Sequence, residues 1–523
     1  MKKRFGLAVG SVFLALCLMS GCGAAPKASM DGAWAPAGGD SLPWISEGEN
    51  YQYDSVIEQG FYDVATQPSS YFSLDRNTAG YSLVRAQIRN GSSVSPDSVR
   101  LEELVNYFDY DYPAPEGEES IRVSAYLSDC PWNVEHKLMT LGIRTEEAAA
   151  EGDANYVLLV DVSGSMSGFV SGTEKAMSRL DLVRYGAEKL VEGLGERDRV
   201  SIVTYASGVK TVLESTAATE EGKKEIRNAL SRLTANGSTS GSAGLELAYE
   251  QAEAHRAENG NNRVIILTDG DFNVGISDTD ELTEFIREKA ASGIALSVVG
   301  VGLGNTRDDL MQTLALNGNG NYCYIDTQLE AEKVFKEELA GTLYTVAKDA
   351  KAGVTFREDR VTSYRLLGYD TKLISEEDFE NSEKDAGEIG SNLCVTVLYE
   401  LELAEPDAEG TAGALAEVAV RYKDTEGEDR ETILTVTGEE GETDDARFAA
   451  CVAEFALVLR RSKYGAGASL ENVLSRLESL ESYLAGDVYK QEFRQLVSEA
   501  DASGFYPALR PADAAGSDAE DVI

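Results

Sequence analysis

The sequence predicts an α/β protein: a central doubly wound, mostly parallel sheet flanked by a mixed N-terminal module and a C-terminal β-rich domain with closing helices. Three observations predict it. From residue 152 to 347, apolar strand-like runs alternate with amphipathic helical text, the pattern of βαβ units that bury both faces of a parallel sheet. Two of those runs end in clusters of short oxygen-bearing side chains, where open α/β sheets place their ligands. After 347 the runs shorten and alternate apolar with polar residues, as half-buried antiparallel strands do.

A chain of 523 residues is longer than one core serves, and its 43% of hydrophobic residues can fill several. At the start, Lys2, Lys3 and Arg4 precede an apolar run from Phe5 to Met19, then Ser20, Gly21 and Cys22. That order is the order of a secretory signal, so residues 1–21 read as a lipoprotein signal peptide. The text Leu18-Met19-Ser20-Gly21-Cys22 resembles a bacterial lipobox, with Met19 where Leu is commoner. The resemblance implies that Cys22 carries lipid, palmitate included, and that the chain is secreted and held at the bacterial cell membrane, facing outward. An ordinary signal peptide with an incidental cysteine is the alternative. No later run reaches the roughly 18 apolar residues of a membrane span. Residues 22–48, rich in Ala, Gly, Pro and Ser, read as a flexible tether, and 511–523 as an acidic tail.

In the N-terminal module, 49–148, helix-like text from Ser98 to Phe108 runs into the aromatic-acidic segment Tyr107 to Tyr112. That segment reads either as a recognition patch or as a helix end with packed rings. Ile121 to Leu127 and Lys137 to Ile143 alternate as strands. Within 152–347, Tyr156 to Val160 is the first buried strand, and Leu180, Val183, Ala187, Leu190, Val191 and Leu194 recur at helical spacing. Val200 to Tyr205, Val264 to Leu267, Ile294 to Val301 and Tyr322 to Ile325 supply further strands. Helical text fills Glu220 to Leu233, Ala243 to His255, Asp280 to Ala290, Arg307 to Leu314 and Leu329 to Val346. The domain over 348–510 carries the strand text VTFREDRVTSYRLLGY, CVTVLYELEL, AEVAVRY and ETILTVTG, then helices over Phe448 to Arg460, Leu470 to Leu484 and Tyr489 to Ala500.

The charge balance is 47 basic against 90 acidic residues, a net −43. Such a surface repels phosphate backbones, which excludes nucleic acid as a partner, and it favours cations and basic partners; a merely solvated acidic surface is the plainer reading. Six cysteines, at 17, 22, 130, 323, 394 and 451, form no CxxC pair, so they read as buried thiols with one bridge conceivable. The two histidines, His136 and His255, are too few for a histidine-built metal site or triad.

The chemistry concentrates at the strand ends. Asp161-Val-Ser163-Gly-Ser165-Met166 follows the first buried strand and offers one carboxylate and two hydroxyls to a hard cation. Gly237-Ser-Thr239-Ser lies ahead of a helix, and Thr268-Asp269-Gly270-Asp271 follows the buried run VIIL. DxSxS, a later Thr and a TDG after a strand, in that order, resemble the metal-ion-dependent adhesion site of von Willebrand factor A domains. The resemblance implies a Rossmann-like fold with Asp161, Ser163, Ser165, Thr239 and Asp269 as ligands, some through water, and a protein partner whose Asp or Glu completes the shell. Oxygen-only ligands suit Mg²⁺, with Mn²⁺ or Ca²⁺ as alternatives.

The resemblance extends along the chain. SYFSLDRNTAGYSLVR, RLEELVNYFDYDYPAP and CPWNVEHKLMTLGI look like the N-terminal von Willebrand-associated module of one group of bacterial A-domain lipoproteins, the YfbK-like group. YRLLGYD, VTVLYEL, VRYKD and FALVLRRSKY look like that group's C-terminal domain of unknown function. Asn77 departs from the group, which has an acidic residue there. The expected function is cation-dependent protein binding for adhesion, scaffolding or assembly, not catalysis. A metal-dependent hydrolase using Asp161 and Asp269 is the alternative, as is a metal that only braces the loops. No GxSxG frame surrounds Ser163 or Ser165, and Gly300-Val-Gly302-Leu-Gly304 lacks the third glycine of a dinucleotide fingerprint.

Overall fold

The computed structural model describes residues 57–510, apart from 75, 118, 148–152, 171–175, 239–241, 259, 271–278, 303–307, 340–344, 385, 405–412 and 439–440. The readings on the leader and tether, on Cys17, Cys22, Asp75, Thr239, Asp271 and Gly304, and on the acidic tail lie outside the described residues. Among the described residues no helix is long and apolar enough to cross a membrane.

The N-terminal segment supplies strands β1 (Tyr62–Asp63) and β2 (Ser69–Ser73), helices α1 (Ala79–Arg89) and α2 (Leu101–Val105), and the long strands β3 (Ile121–Asp129) and β4 (Lys137–Thr145). The central domain follows with β5 (Ala154–Asp161), a small hairpin of β6 (Phe169–Val170) and β7 (Met177–Ser178), α3 (Arg179–Gly193), β8 (Arg199–Tyr205) and β9 (Val209–Ala217). It continues through α4 (Glu220–Ser231), α5 (Ser242–Ala254), β10 (Asn261–Thr268), α6 (Thr279–Ala291), β11 (Ala295–Val301), α7 (Asp308–Asn317), β12 (Tyr322–Ile325) and α8 (Gln328–Glu332).

The central sheet runs β12-β11-β10-β5-β8-β9. Every pair is parallel except β8 with β9, an antiparallel edge strand that the sequence text did not signal. Its inner strands are apolar on both faces because both faces are covered. Tyr156, Leu158 and Val160 of β5 share a core with α3 and α4, while Val157 and Leu159 share another with α5, α6 and α7. Helix α1 adds Ala79, Leu83 and Ala86 to that second core. Helix α3 starts where Ser178 accepts from the Asp181 amide and the Asp181 carboxylate accepts from the Ser178 amide, a capping box. The helix read over Leu329 to Val346 is shorter than expected: beyond α8 the chain winds as a π-helix over Lys333–Glu338, and Thr345 already opens the next strand.

That strand, β13 (Thr345–Phe356), is followed by β14 (Val361–Leu367), β15 (Gly387–Gly390), β16 (Cys394–Leu403), β17 (Ala416–Lys423) and β18 (Asp429–Val436). They build two antiparallel sheets, β1-β14-β16-β4-β3 and β15-β13-β17-β18, with β2 paired to β13. The segments read as an N-terminal module and a C-terminal domain thus contribute strands to the same sheets. Val395, Val397, Tyr399 and Leu401 of β16, Met139 and Leu141 of β4, and Val418 and Val420 of β17 pack into one core between them. The opposite face of β16 is also buried, because Cys394 and Leu398 join Leu138 under helix Asp444–Arg460. The half-buried alternation read into CVTVLYELEL is therefore corrected to a strand covered on both sides. Tyr107, Phe108, Tyr110 and Tyr112 are buried in this helical core, so the aromatic segment is packing and not a recognition patch. Cys130, Cys323, Cys394 and Cys451 are buried free thiols.

Candidate metal centre

The parallel register brings the carboxyl ends of β5, β8, β10 and β11 to one edge of the sheet, with Asp161 beside Tyr205 and Thr268 beside Gly300. Asp161 is the last residue of β5 and is fully buried; Ser163 and Asp269 are buried too. After Ser163 the chain turns through a single 3₁₀ turn, Gly164–Ser167, pinned by the buried Met166, before the small hairpin leads into α3. Inside that turn the Ser163 and Ser165 hydroxyls stand 2.9 Å apart.

Each oxygen of Asp161 is oriented. Oδ1 accepts from the Ser163 amide at 2.8 Å, and Oδ2 accepts from the Thr268 hydroxyl at 3.2 Å. Burial pushes the Asp161 carboxyl up to about 6; the Ser163 bonds pull it down, the neighbouring charge of Asp269 pushes it up and the Thr268 bond lowers it. A cation at this place would relieve that cost. Asp269 opens the turn after β10, where Gly270 takes φ +94°, a conformation side chains resist. Its Oδ2 accepts from Arg179 Nη1 at 2.7 Å, while its buried Oδ1 has no hydrogen-bond partner among the described residues.

The loop that carries the third sequence element is fastened beside these two. The Asn236 amide donates to the Val162 carbonyl at 2.7 Å, and the Gly164 amide donates to the Gly237 carbonyl at 3.0 Å. Gly237 takes φ +97°, and a Cβ there would stand 2.4 Å from the Ser207 hydroxyl, so only glycine fits. Asp161, Ser163, Ser165 and Asp269 are therefore brought to one strand-end cluster, with the loop leading to Thr239 joined to it by two backbone bonds.

The donor set is oxygen only: two carboxylates and two hydroxyls. Among the described residues no group of three or more His, Cys, Asp or Glu side chains could hold a metal, so the described part of this cluster would offer a cation hydroxyls and two carboxylates. That combination, with one buried carboxylate oxygen left without a partner, fits a hard divalent cation such as Mg²⁺ and not zinc. Two contributors escaped the sequence reading. Thr268 was read as part of TDG and not as a contact of Asp161. Arg179, which opens α3, is not singled out by the sequence; nothing in the linear text marks it, because its slot is made in part by Gly302, far along the chain.

Three family models match the chain: von Willebrand factor over residues 47–140, von Willebrand factor type A domain over 155–337, and the C-terminal part of the uncharacterized protein YfbK over 341–502. YfbK of Escherichia coli (strain K12) is 35% identical over 477 residues, covering 86% of this chain and 81% of that protein. The inter-alpha-trypsin inhibitor heavy chain H3 of Rattus norvegicus is 27% identical over 200 residues, 36% of this chain and 21% of its own length. Among solved structures, a von Willebrand factor type A protein from Catenulispora acidiphila aligns with TM-score 0.42 and 15% identity, over 76% of this chain and 95% of that one.

Proposed function

The chain belongs to the YfbK family of von Willebrand factor type A proteins, and from that premise we propose that it binds a protein partner through a divalent-cation-dependent site, with Asp161, Ser163, Ser165 and Asp269 as ligands and Thr239 as the fifth. It is a binding protein and not an enzyme on this reading, serving adhesion, scaffolding or assembly. The observation that carries it is the buried oxygen cluster itself, in which Asp269 Oδ1 has no partner among the described residues and the Ser163 and Ser165 hydroxyls stand 2.9 Å apart beside Asp161.

The chain's own contribution is orientation. The Ser163 amide and Thr268 hydroxyl hold the Asp161 carboxylate in one pose, and two backbone bonds hold the loop that leads to Thr239 against the turn. Hydroxyls contribute lone pairs and no charge, so the two carboxylates are the only anions of the ligand set. A bound Mg²⁺, preferring about six oxygens, would offer an open position to an Asp or Glu of the partner. The overall charge of −43 does not forbid an acidic partner residue, because screening confines long-range repulsion to about 8 Å at physiological salt. Specific binding stabilises a fold by about 2.7 kcal/mol when free metal is about 100 times its dissociation constant. Mg²⁺ should therefore raise the melting temperature of the parent and leave Asp161→Ala unmoved; an equal rise in both proteins would refute the site.

The same reading places the protein at the outer face of the cell membrane, secreted and held by lipid on Cys22. The support is the Lys-Lys-Arg start and the Ser-Gly-Cys end of the apolar leader. Cys22→Ser should move the protein from the membrane fraction to the soluble one, and unchanged fractionation would remove the anchor.

A further inference from the structure

One cation sits in the centre already. Arg179 opens α3 with its amide donating to the Gly168 carbonyl at 2.8 Å, directly behind the serine turn. Its side chain is 15% exposed. Nη1 donates to Asp269 Oδ2 at 2.7 Å and to the Ser165 carbonyl at 3.3 Å. The arm runs through a slot shaped by glycine. A Cβ on Gly302 would stand 2.6 Å from Arg179 Nε and 2.8 Å from its Cγ, and Gly302 takes φ +69°. A Cβ on Gly168 would lie 3.5 Å from the guanidinium carbon. The backbone therefore closes on the arm from β11 and from the serine turn, and Arg179 is held in place, not lying across the surface.

We propose that Arg179 is a tethered cation of the metal centre, which holds Asp269 before metal arrives and competes with divalent metal for that carboxylate. The inference rests on the metal reading above. Two carboxylates alone would balance a dication; with Arg179 on Asp269 the loaded centre carries one surplus positive charge, in a buried place where charges act strongly on each other. Arg179 thereby weakens the hold on metal and restrains Asp269 so that Oδ1 is the oxygen presented to it. The guanidinium stays charged at any physiological pH, so the restraint is permanent. Divalent metal is then held firmly only when an anionic ligand offsets the surplus.

The test is a calorimetric titration of the full chain with MgCl₂ alone. Arg179→Met removes the charge, and its Mg²⁺ dissociation constant should fall about tenfold, the change expected for relief of one nearby like charge. Arg179→Lys keeps the charge and should stay near the parent. Lys224→Met, which removes an exposed charge from α4, should leave the midpoint unchanged. If Arg179→Met does not fold, Arg179→Gln removes the charge while keeping a donor for Asp269 and should show the same tightening. A neutral variant that binds Mg²⁺ as weakly as the parent, or more weakly, overturns the proposal, since a merely structural arginine loosens the site when removed. Equal tightening in Lys224→Met overturns it too. Absence of Mg²⁺ binding in the parent and in every variant removes the metal reading itself, an outcome distinct from either.

Discussion

Individual side chains in this protein show how a buried charge is kept. Glu400 in β16 is fully buried, yet both its oxygens are engaged: Oε1 pairs with His136 Nδ1 at 2.7 Å, and Oε2 accepts from Arg365 Nη2 at 2.8 Å and Trp132 Nε1 at 3.1 Å. Arg365 lies between the rings of Phe61 and Tyr464, 5.6 and 5.0 Å from their centroids, and reaches Glu58 at 3.1 Å. Burial opposes ionisation of Glu400, but the His136 bond and the Arg365 charge outweigh it and hold the carboxyl below its usual range. A depressed folded value means stability that is present above the unfolded value, about 4.3, and is lost as pH falls through the folded one. Glu400→Gln should therefore lower stability at neutral pH by about 3 kcal/mol, since it leaves Arg365 short of a buried partner. The gap to the parent should narrow as pH drops below about 4. Denaturant midpoints of the two proteins at each pH check this, and a gap independent of pH would contradict it. Asp161 is the opposite case: burial and the neighbouring charge of Asp269 outweigh its hydrogen bonds and raise it to about 6.

At the scale of elements, the strand-helix alternation of the central domain was legible because each element there carries its own period. The text from Tyr156 to Val160, the spacing of Leu180, Val183 and Ala187, and the VIIL run became β5, α3 and β10. The edge strand β9 was missed because its residues, VKTVLESTA, lie mostly at intermediate exposure and offer little apolar alternation. Val334, Phe335, Leu339 and Val346 extend the apolar helical text to 346, whereas tertiary pairing of Thr345 with Gly390 takes the chain into β13. β16 shows the same effect on a face: the sequence reads it as a half-buried alternating strand, whereas its Cys394 and Leu398 are buried in a core shared by the N-terminal segment and a helix from the far end of the chain.

Across the whole molecule, the segments before and after the central domain form one β-sandwich. β4 lies between β3 and β16, and β1 completes the flank of β14, so a large part of the C-terminal sheets is N-terminal chain. Arg85 of α1 adds an ionic junction, donating to Asp326 and Glu330 at the end of the central domain and to Glu492 on helix Val488–Ser503. One guanidinium thus joins three stretches of sequence in a buried place where a lost partner is costly. The segment 348–510 expressed alone should show no cooperative melting, because β16 would expose an apolar edge and β14 and β13 would lose their neighbours. Adding residues 57–147 in the same cell should restore a single transition. A sharp melt from the isolated segment would show that the sandwich does not need its N-terminal strands.

The sequence by itself determined the class of the central fold and the placing of four oxygen-bearing side chains at its strand ends, because those depend on short-range information: a buried strand run followed by a turn puts Asp161, Ser163 and Ser165 at one strand end, and a second such run does the same for Asp269. Only the tertiary structure decided what lies beside them. Arg179 reaches Asp269 across 90 positions of sequence, through a slot that Gly302 leaves open. Leu393 and Thr145, 248 residues apart, share the hydrogen bond that begins the β16–β4 pairing. Strand pairing and ion placement of this kind carry no local period, since which edge a strand joins depends on every other strand competing for it. The strand-end oxygens are written in two short stretches of sequence; the Arg179 contact with Asp269 and the sandwich that flanks the central domain exist only once distant parts of the chain have met.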